Sequence, residues 1–323
     1  MRYQYIIFGN SYPYYSVAYS DLKDLNNVMY LEGTNPLYGG RLIKIICRLI
    51  FSVKVNKIIS MPFKSYFGKF YVPKNVSAHD DLCFIFMINL SVIRVLPYIR
   101  KKFPTARCVF YAQDILIKSG VDNITDFLKL FDLTISYDRH DADRYGMLYY
   151  QTPFTVIPLE EDENYKSDVY YLGIVKDRLS DILKVFDYFN SLSLKCNFIL
   201  YGQIPDNIKR QYPTIKFINS LLPYMENLKY VKNTKCVLEI MQKGAVGITP
   251  RLWESLAYDK LFITNNKFIV SSGYYNSVFM KVIEEDNYTK VEKEFFYGKP
   301  LYGEDLKKSM SPKNLILYIE EQL

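Results

Sequence analysis

The chain is poor in the residues from which most metal and nucleophile motifs are built. It holds two histidines, one tryptophan and five cysteines in 323 residues. The cysteines (Cys47, Cys83, Cys108, Cys196, Cys236) are odd in number and scattered, with no C-x-x-C pair. That speaks against a disulfide framework and against a zinc site, and no metal is expected. They read as reduced, mostly buried thiols of a cytosolic protein. No apolar run approaches the roughly 20 residues of a membrane-spanning helix. The opening residues, MRYQYIIFGNSYPYY, lack the long apolar segment and small-residue cleavage site of a secretory signal. A cytoplasmic location is therefore expected, with peripheral contact at the inner face of the plasma membrane left open.

A strong charge bias is also missing. The 41 basic and 34 acidic residues leave a net charge of +7, an excess that suits anionic ligands or an anionic membrane without demanding either. There is no Lys/Arg stripe interleaved with stacking aromatics and no nucleic-acid motif, so nucleic acid is not an expected partner. What is present is ordinary globular material: 49% hydrophobic and 23% charged residues. At 323 residues the chain exceeds the size of one growing core, which predicts two domains. The 31 tyrosines stand out, but an AT-rich genome gives the same skew.

Short apolar runs rich in β-branched and aromatic residues alternate with segments of helical period, the pattern of parallel sheets with crossover helices. The class is α/β. Strands are predicted at 3–9, 27–32, 56–61, 82–88, 107–113, 133–138 and 154–159. The acidic, aperiodic stretch EEDENYKS (160–167) is the best linker, after which the alternation restarts. The predicted domains are 1–160 and 161–323, with the last helix free to pack back on the first. Ser311 is placed to cap that helix, with Pro312 at its first position. In GGRLIKIICRLIFSVKVNK, Arg41, Lys44 and Arg48 share one helical face, and Leu42, Ile45, Ile46, Leu49 and Ile50 fall largely on the other. This reads either as a helix packed on its sheet with a solvated basic edge, or as a surface (41–59) that meets anionic lipid headgroups or a lipid-linked substrate.

The richest local signal is QKGAVGITPRLWESLAYDKLFITNN (242–266). Gly244 and Gly247 allow a turn after a strand, and Thr249-Pro250 gives an N-cap with proline at the first helical position. Arg251 then stands at a helix start, where exposed N–H groups and the dipole already favour an anion such as a phosphate. Glu254, one turn on, suits the hydroxyls of a ribose; alternatively it complements the dipole while Arg251 is solvated. A second strand end, YLGIVKDRL, sets Gly173 ahead of Lys176 and Arg178, and ligands of doubly wound sheets sit at such carboxyl ends. Arg178 has an alternative in Asp177 or Asp181 as a surface partner. At the first strand end Gly9, Asn10 and Ser11 form a turn without the G-x-G-x-x-G pattern, which lowers a dinucleotide-cofactor reading. Tyr12, Tyr14 and Tyr15 beyond it either stack on a sugar or pack.

The order LGIVKDRL, FILYG and NLKYVKNTKCVLEIMQKGAVGITPRLWESLAYDKLFITNN resembles bacterial GT-B glycosyltransferases of the lipopolysaccharide and capsular polysaccharide biosynthesis type. CVFYAQDILI and LFDLTISYDRHDADRYGMLY are similar to their first domain. The resemblance covers about 80–287, and the first 80 residues match only in general layout. It implies two Rossmann-like domains facing a central cleft, a nucleotide-sugar donor, UDP-linked by expectation, on the second domain, and a glycan acceptor, lipid-linked by expectation, on the first. Transfer is metal-free and needs no cofactor, the nucleotide sugar being a substrate. By matching motif positions, Arg178, Lys243, Gly244, Thr249 and Arg251 face the diphosphate and Glu254 the ribose. Many retaining members carry a second glutamate where this chain has Val246, so retention of configuration does not follow. Inverting transfer needs a base for the acceptor hydroxyl. Asp114, after a central strand, is the first candidate, with a helix-capping or loop-orienting alternative, and Asp138, which also follows a strand, is the second; His79 and His140 read as surface residues. Gly9, Asn10, Ser11 and Tyr12 border the acceptor side. The expectation is a glycosyltransferase of cell-surface polysaccharide synthesis. The alternatives are a non-catalytic nucleotide- or sugar-binding protein and a nucleotide-sugar epimerase of the same fold.

Overall fold

The computed structural model describes residues 2–10, 12–33, 35–59, 61–77, 80–87, 93–116, 123–242, 247–284 and 287–323. Two compact units emerge, one of Met1–Thr155 with Ser311–Leu323, the other of Val156–Met310. The first carries strands β1 (Gln4–Gly9), β2 (Val28–Glu32), β3 (Leu82–Met87), β4 (Arg107–Ala112), β5 (Leu133–Ser136) and β6 (Leu148–Tyr149). They form one parallel sheet in the order β2-β1-β3-β4-β5-β6. Every residue of β3 is buried, as a central parallel strand covered on both faces requires. The helices of this unit are α1 (Pro13–Ala18), α2 (Arg41–Phe51), α3 (Val53–Ile58), α4 (Lys64–Phe67), α5 (Leu96–Lys102), α6 (Ile124–Leu128) and α7 (Arg139–Tyr145). Phe8, Phe84, Phe86, Phe110 and Phe131 make the aromatic centre of its core.

The second unit runs β7 (Ser167–Ile174), α8 (Leu179–Ser191), β8 (Cys196–Tyr201), α9 (Asp206–Gln211), β9 (Lys216–Ile218), α10 (Tyr224–Asn233), β10 (Thr234–Glu239), α11 (Pro250–Ala257), β11 (Leu261–Thr264), β12 (Met280–Val282) and α12 (Glu304–Ser309). Its parallel sheet has the order β12-β11-β10-β7-β8-β9. Counted within the unit this is 3-2-1-4-5-6, the Rossmann order, with the reversal between β7 and β10. α13 (Pro312–Gln322) returns to the first unit, where Leu315, Ile316 and Ile319 are buried and Tyr318 meets Tyr150 at 4.9 Å. Its cap is the expected one: Ser311 accepts from the Lys313 N–H at 3.1 Å.

Three local expectations are corrected. The described residues of 56–61 do not form a strand: 56–58 end α3, whose N-cap Ser52 accepts from Val55 N–H, while Asn56 donates to the carbonyls of Ile50 and Ser52. Side-chain capping there overrides the β-branched composition. Residues 154–159 pair with no strand either. Phe154 is buried, Thr155 bonds the Ala18 carbonyl, and the sheet edge is taken by β6, too short to read in the sequence. The division falls after Thr155, and the acidic stretch is part of the second unit, with Asp162 N–H donating to Asn233 Oδ1 at 2.8 Å. In α2 the bases are exposed as expected, but the apolar residues split. Cys47, Ile50 and Phe51 are buried, whereas Leu42, Ile45 and Leu49 face solvent, because the core takes only a narrow i, i+3, i+4 strip of this helix.

Candidate functional site

The reversal between β7 and β10 is where a doubly wound sheet leaves a crevice at its carboxyl edge. Both strand ends are held by one side chain. Arg178, just before α8, donates from Nε and Nη2 to the Ile174 carbonyl at 3.1 and 2.9 Å and from Nη1 to the Ile240 carbonyl. It bridges the two ends and pairs with neither Asp177 nor Asp181. Lys176, in a left-handed conformation, reaches Gln242 Oε1 at 3.1 Å. A side chain at Gly173 would run into the Tyr171 hydroxyl, a close approach that only glycine permits. That hydroxyl is buried and has no hydrogen-bond partner among the described residues. Burial pushes it up to about 12 while Arg178 and Arg251 pull the other way.

The loop that ends at α11 is organised by a carboxylate the sequence did not single out. Glu239, the last residue of β10, is buried and accepts from the hydroxyls of Thr249 and Thr264, the latter its register partner on β11. Burial raises its pKa, opposed by the two threonines, Arg251 and Arg178. Asn266 donates to the Gly247 carbonyl at 2.7 Å, and Gly247 has φ +105°, a conformation that favours glycine. Thr249 caps α11 by accepting from Arg251 N–H at 3.2 Å, with Pro250 next. The cap is thus as expected, and of the two turn glycines Gly247 takes a conformation that suits glycine. Lys243, Gly244 and Val246, with Ser11 and His79 of the first unit, lie outside the described residues.

Arg251 is not merely solvated, and Glu254 has partners besides the helix dipole. They pair with each other on α11, with Arg251 at 20% side-chain exposure and Glu254 at 0%. Glu254 Oε1 also accepts from the Tyr224 hydroxyl at 2.7 Å and Asn227 Nδ2 at 3.1 Å. Arg251 also donates to Asn227 Oδ1 at 3.1 Å and the Leu172 carbonyl at 3.3 Å, and Tyr170 donates to Asn227 Oδ1 at 2.9 Å. Burial works against the guanidinium, but the charge and hydrogen bond of Glu254, with Tyr170 and Tyr224, together more than offset it and raise the Arg251 pKa. One network therefore ties β7, α10 and α11. A ribose hydroxyl reaching Glu254 has to displace Tyr224, Asn227 or Arg251. Tyr170, Tyr171, Tyr224, Asn227 and Glu239 escaped the sequence reading because they lie on three elements, β7, α10 and β10, and no spacing connects them. The single hint was a carboxylate at the end of a buried strand.

In the first unit the reversal lies between β1 and β3. Gly9 ends β1 against the Tyr30 ring, Asn10 Oδ1 accepts from Tyr12 N–H at 3.2 Å, and Tyr12 is 63% exposed. Tyr14 and Tyr15 pack edge-to-face at 5.0 Å, and Tyr15 meets Tyr19. Asp114 follows β4, is exposed and, among the described residues, accepts a local bond from Ile115 N–H at 2.8 Å. Its charge, after burial, helps raise Tyr15 to about 12. Asp138 is buried and caps α7, accepting from Asp141 N–H at 2.9 Å, a role the sequence reading did not foresee. His140 is exposed.

No protein-family profile matches the sequence, and no curated protein matches it in sequence. Solved structures do match. The chain is similar to a trehalose-6-phosphate synthase, OtsA, with a TM-score of 0.53 and 9% identity over 89% of this chain and 90% of that one. It is similar to an α-glucosyltransferase solved with UDP-glucose and DNA containing an abasic site, at TM-score 0.52 and 11% identity over 96% and 91%. It is also similar to the glycotransferase of kitacinnamycin, at TM-score 0.52 and 10% identity over the whole of both chains. At these identities what is shared is the fold: two parallel six-stranded α/β sheets of the GT-B glycosyltransferase kind, as the sequence resemblance implied.

Proposed function

We propose that this chain is a glycosyltransferase that moves a sugar from a nucleotide-sugar donor, UDP-linked in the first instance, to a lipid-linked glycan acceptor in cell-surface polysaccharide synthesis. One observation carries the reading. At the reversal of a Rossmann-ordered sheet, Arg178 and the Thr249-capped start of α11 with Arg251 gather two guanidinium groups and a helix N-terminus at one crevice. Such a set takes the charge of a departing diphosphate, and the reading includes no metal and no cofactor. Lys243 and Gly244 join it by motif position, and Glu254 is its ribose ligand once the donor displaces a network partner. The acceptor is assigned to the first unit, beside Asn10 and Tyr12. The acceptor hydroxyl attacks the anomeric carbon, the bond from that carbon to the diphosphate breaks, and Asp114 takes the hydroxyl proton. Asp114 is preferred to Asp138 because it is exposed, whereas Asp138 is buried and caps α7. The chain works at the inner face of the membrane, which it meets through 41–59.

The test is a panel of nucleotide sugars with and without a lipid-linked acceptor, following released nucleoside diphosphate. Acceptor-dependent release supports transfer; an isomerised nucleotide sugar without release identifies an epimerase; binding without turnover across the panel identifies a binding protein.

A further inference from the structure

The positive charge of this protein is not spread along it. Between Gly33 and His79 there are eight bases and no acid, which leaves 33 bases against 34 acids in the rest of the chain. The same stretch also exposes an unusual share of large apolar side chains. Leu42 and Leu49 are 70% and 52% exposed on α2 with Ile45 between them, Ile58 is 85% exposed at the end of α3, and Ile59 and Phe63 follow before α4. α2 packs against both α3 and α4, so these residues belong to one neighbourhood of the first unit. Phe63 keeps its ring in solvent from a left-handed backbone at φ +63°, a conformation unfavourable for a bulky residue.

On α2 the exposed face has two halves. At 100° per residue Leu42, Ile45 and Leu49 form a ridge, and Arg41, Lys44 and Arg48 run along its flank, with the buried strip opposite. Solvation of a basic edge explains the bases and leaves the ridge unaccounted for. We infer that this ridge, with Ile58, Ile59 and Phe63, docks on an anionic lipid bilayer, the aliphatic side chains entering the acyl boundary and the bases meeting the headgroups. A second copy of the chain is disfavoured by charge, since the face would bring Arg41, Lys44 and Arg48 against their own copies, with no acid in the stretch to pair with them. No helix among the described residues is long and apolar enough to cross a membrane, and this mode of contact needs none. The inference supplies the membrane contact of the proposed function without depending on donor chemistry.

The experiment is flotation of the full chain with vesicles of phosphatidylcholine alone and of phosphatidylcholine mixed with phosphatidylglycerol, without nucleotide sugar. Binding is expected only to the mixed vesicles and should weaken with salt. Leu42→Gln with Leu49→Gln should reduce it about tenfold or more, as loss of inserted apolar area requires. Arg41→Gln, Lys44→Gln and Arg48→Gln together should reduce it about 100-fold, at roughly fivefold per base. All five side chains are exposed, so circular dichroism should be unchanged. Binding that ignores the leucine pair would overturn the inference in favour of plain electrostatic adsorption or an acidic protein partner. A dimer seen by sedimentation velocity that the leucine pair dissociates, with vesicle binding unchanged, would overturn it in favour of self-association. Because donor turnover is read separately, as released nucleoside diphosphate, failure of vesicle binding leaves the transferase reading standing, and the reverse holds too.

Discussion

Replacing Arg251 tests at once how the second unit is held together and where it binds anions. The guanidinium neutralises a carboxylate with no solvent exposure, and removing one partner of a buried pair costs about 3–5 kcal/mol. Glu254 keeps Tyr224 and Asn227 as donors, so Arg251→Met should fall near the lower end, about 3 kcal/mol. For a unit of this size that is roughly 6–12 °C in Tm. Glu254→Gln should cost less, about 1.5–2 kcal/mol, because the remaining cation still bonds Leu172 and Asn227 and reaches water. The double variant buries no unpaired charge and should cost less than the sum, with a coupling of about 1–3 kcal/mol. Urea unfolding followed by Trp253 reads this directly, because the sole tryptophan is buried in α11 itself. Calorimetry with UDP, well below the transition, should show Arg251→Met binding about 30-fold more weakly, the loss of one charge-assisted contact of about 2 kcal/mol. A cost below about 1 kcal/mol with strictly additive variants would refute the buried-pair argument, and unchanged UDP affinity would mean the diphosphate lies elsewhere.

Asp114→Asn should retain UDP affinity and lose turnover; near wild-type release of nucleoside diphosphate would remove it as the base. Burial, with Lys232 adding to it, holds the Lys260 amine down to about 8. The folded state therefore binds fewer protons than the unfolded one between about pH 8 and the ordinary lysine value of 10.5, and the penalty for the charged amine is complete below 8. Lys260→Met should then stabilise the chain at pH 7, and the gain over wild type should shrink as pH rises above 8; a gain independent of pH would contradict this. Gly247→Ala, at φ +105°, should destabilise by about 1 kcal/mol or more and weaken UDP binding, measured by urea midpoint and calorimetry.

Most of the strand sequence was legible because buried parallel strands are continuous apolar runs, and β3, β4 and β7 fall where such runs fall. The cap at Thr249-Pro250, the Gly247 turn and the Ser311 cap were legible for a related reason: each is decided within four residues. The failures share the opposite cause. Residues 56–61 carry strand-like composition but are captured by Ser52 and Asn56 hydrogen bonds to the chain just before them. Which apolar residues of α2 turn inward depends on how wide a strip the sheet beneath can cover, and periodicity gives the direction of the strip without its width.

The sequence by itself therefore determined the α/β class, the two-unit size, the strand–turn–helix at 234–257 and the cations around it, all products of local period and backbone preference. Only the tertiary structure decided that β7 and β10 are neighbours at the reversal, since strand order is set by packing between segments more than sixty residues apart. It also decided that Arg251 and Glu254 spend their charges on each other. In a low-dielectric interior a carboxylate with no water must find its partners within hydrogen-bond reach, and which residues stand there is a property of the assembled fold.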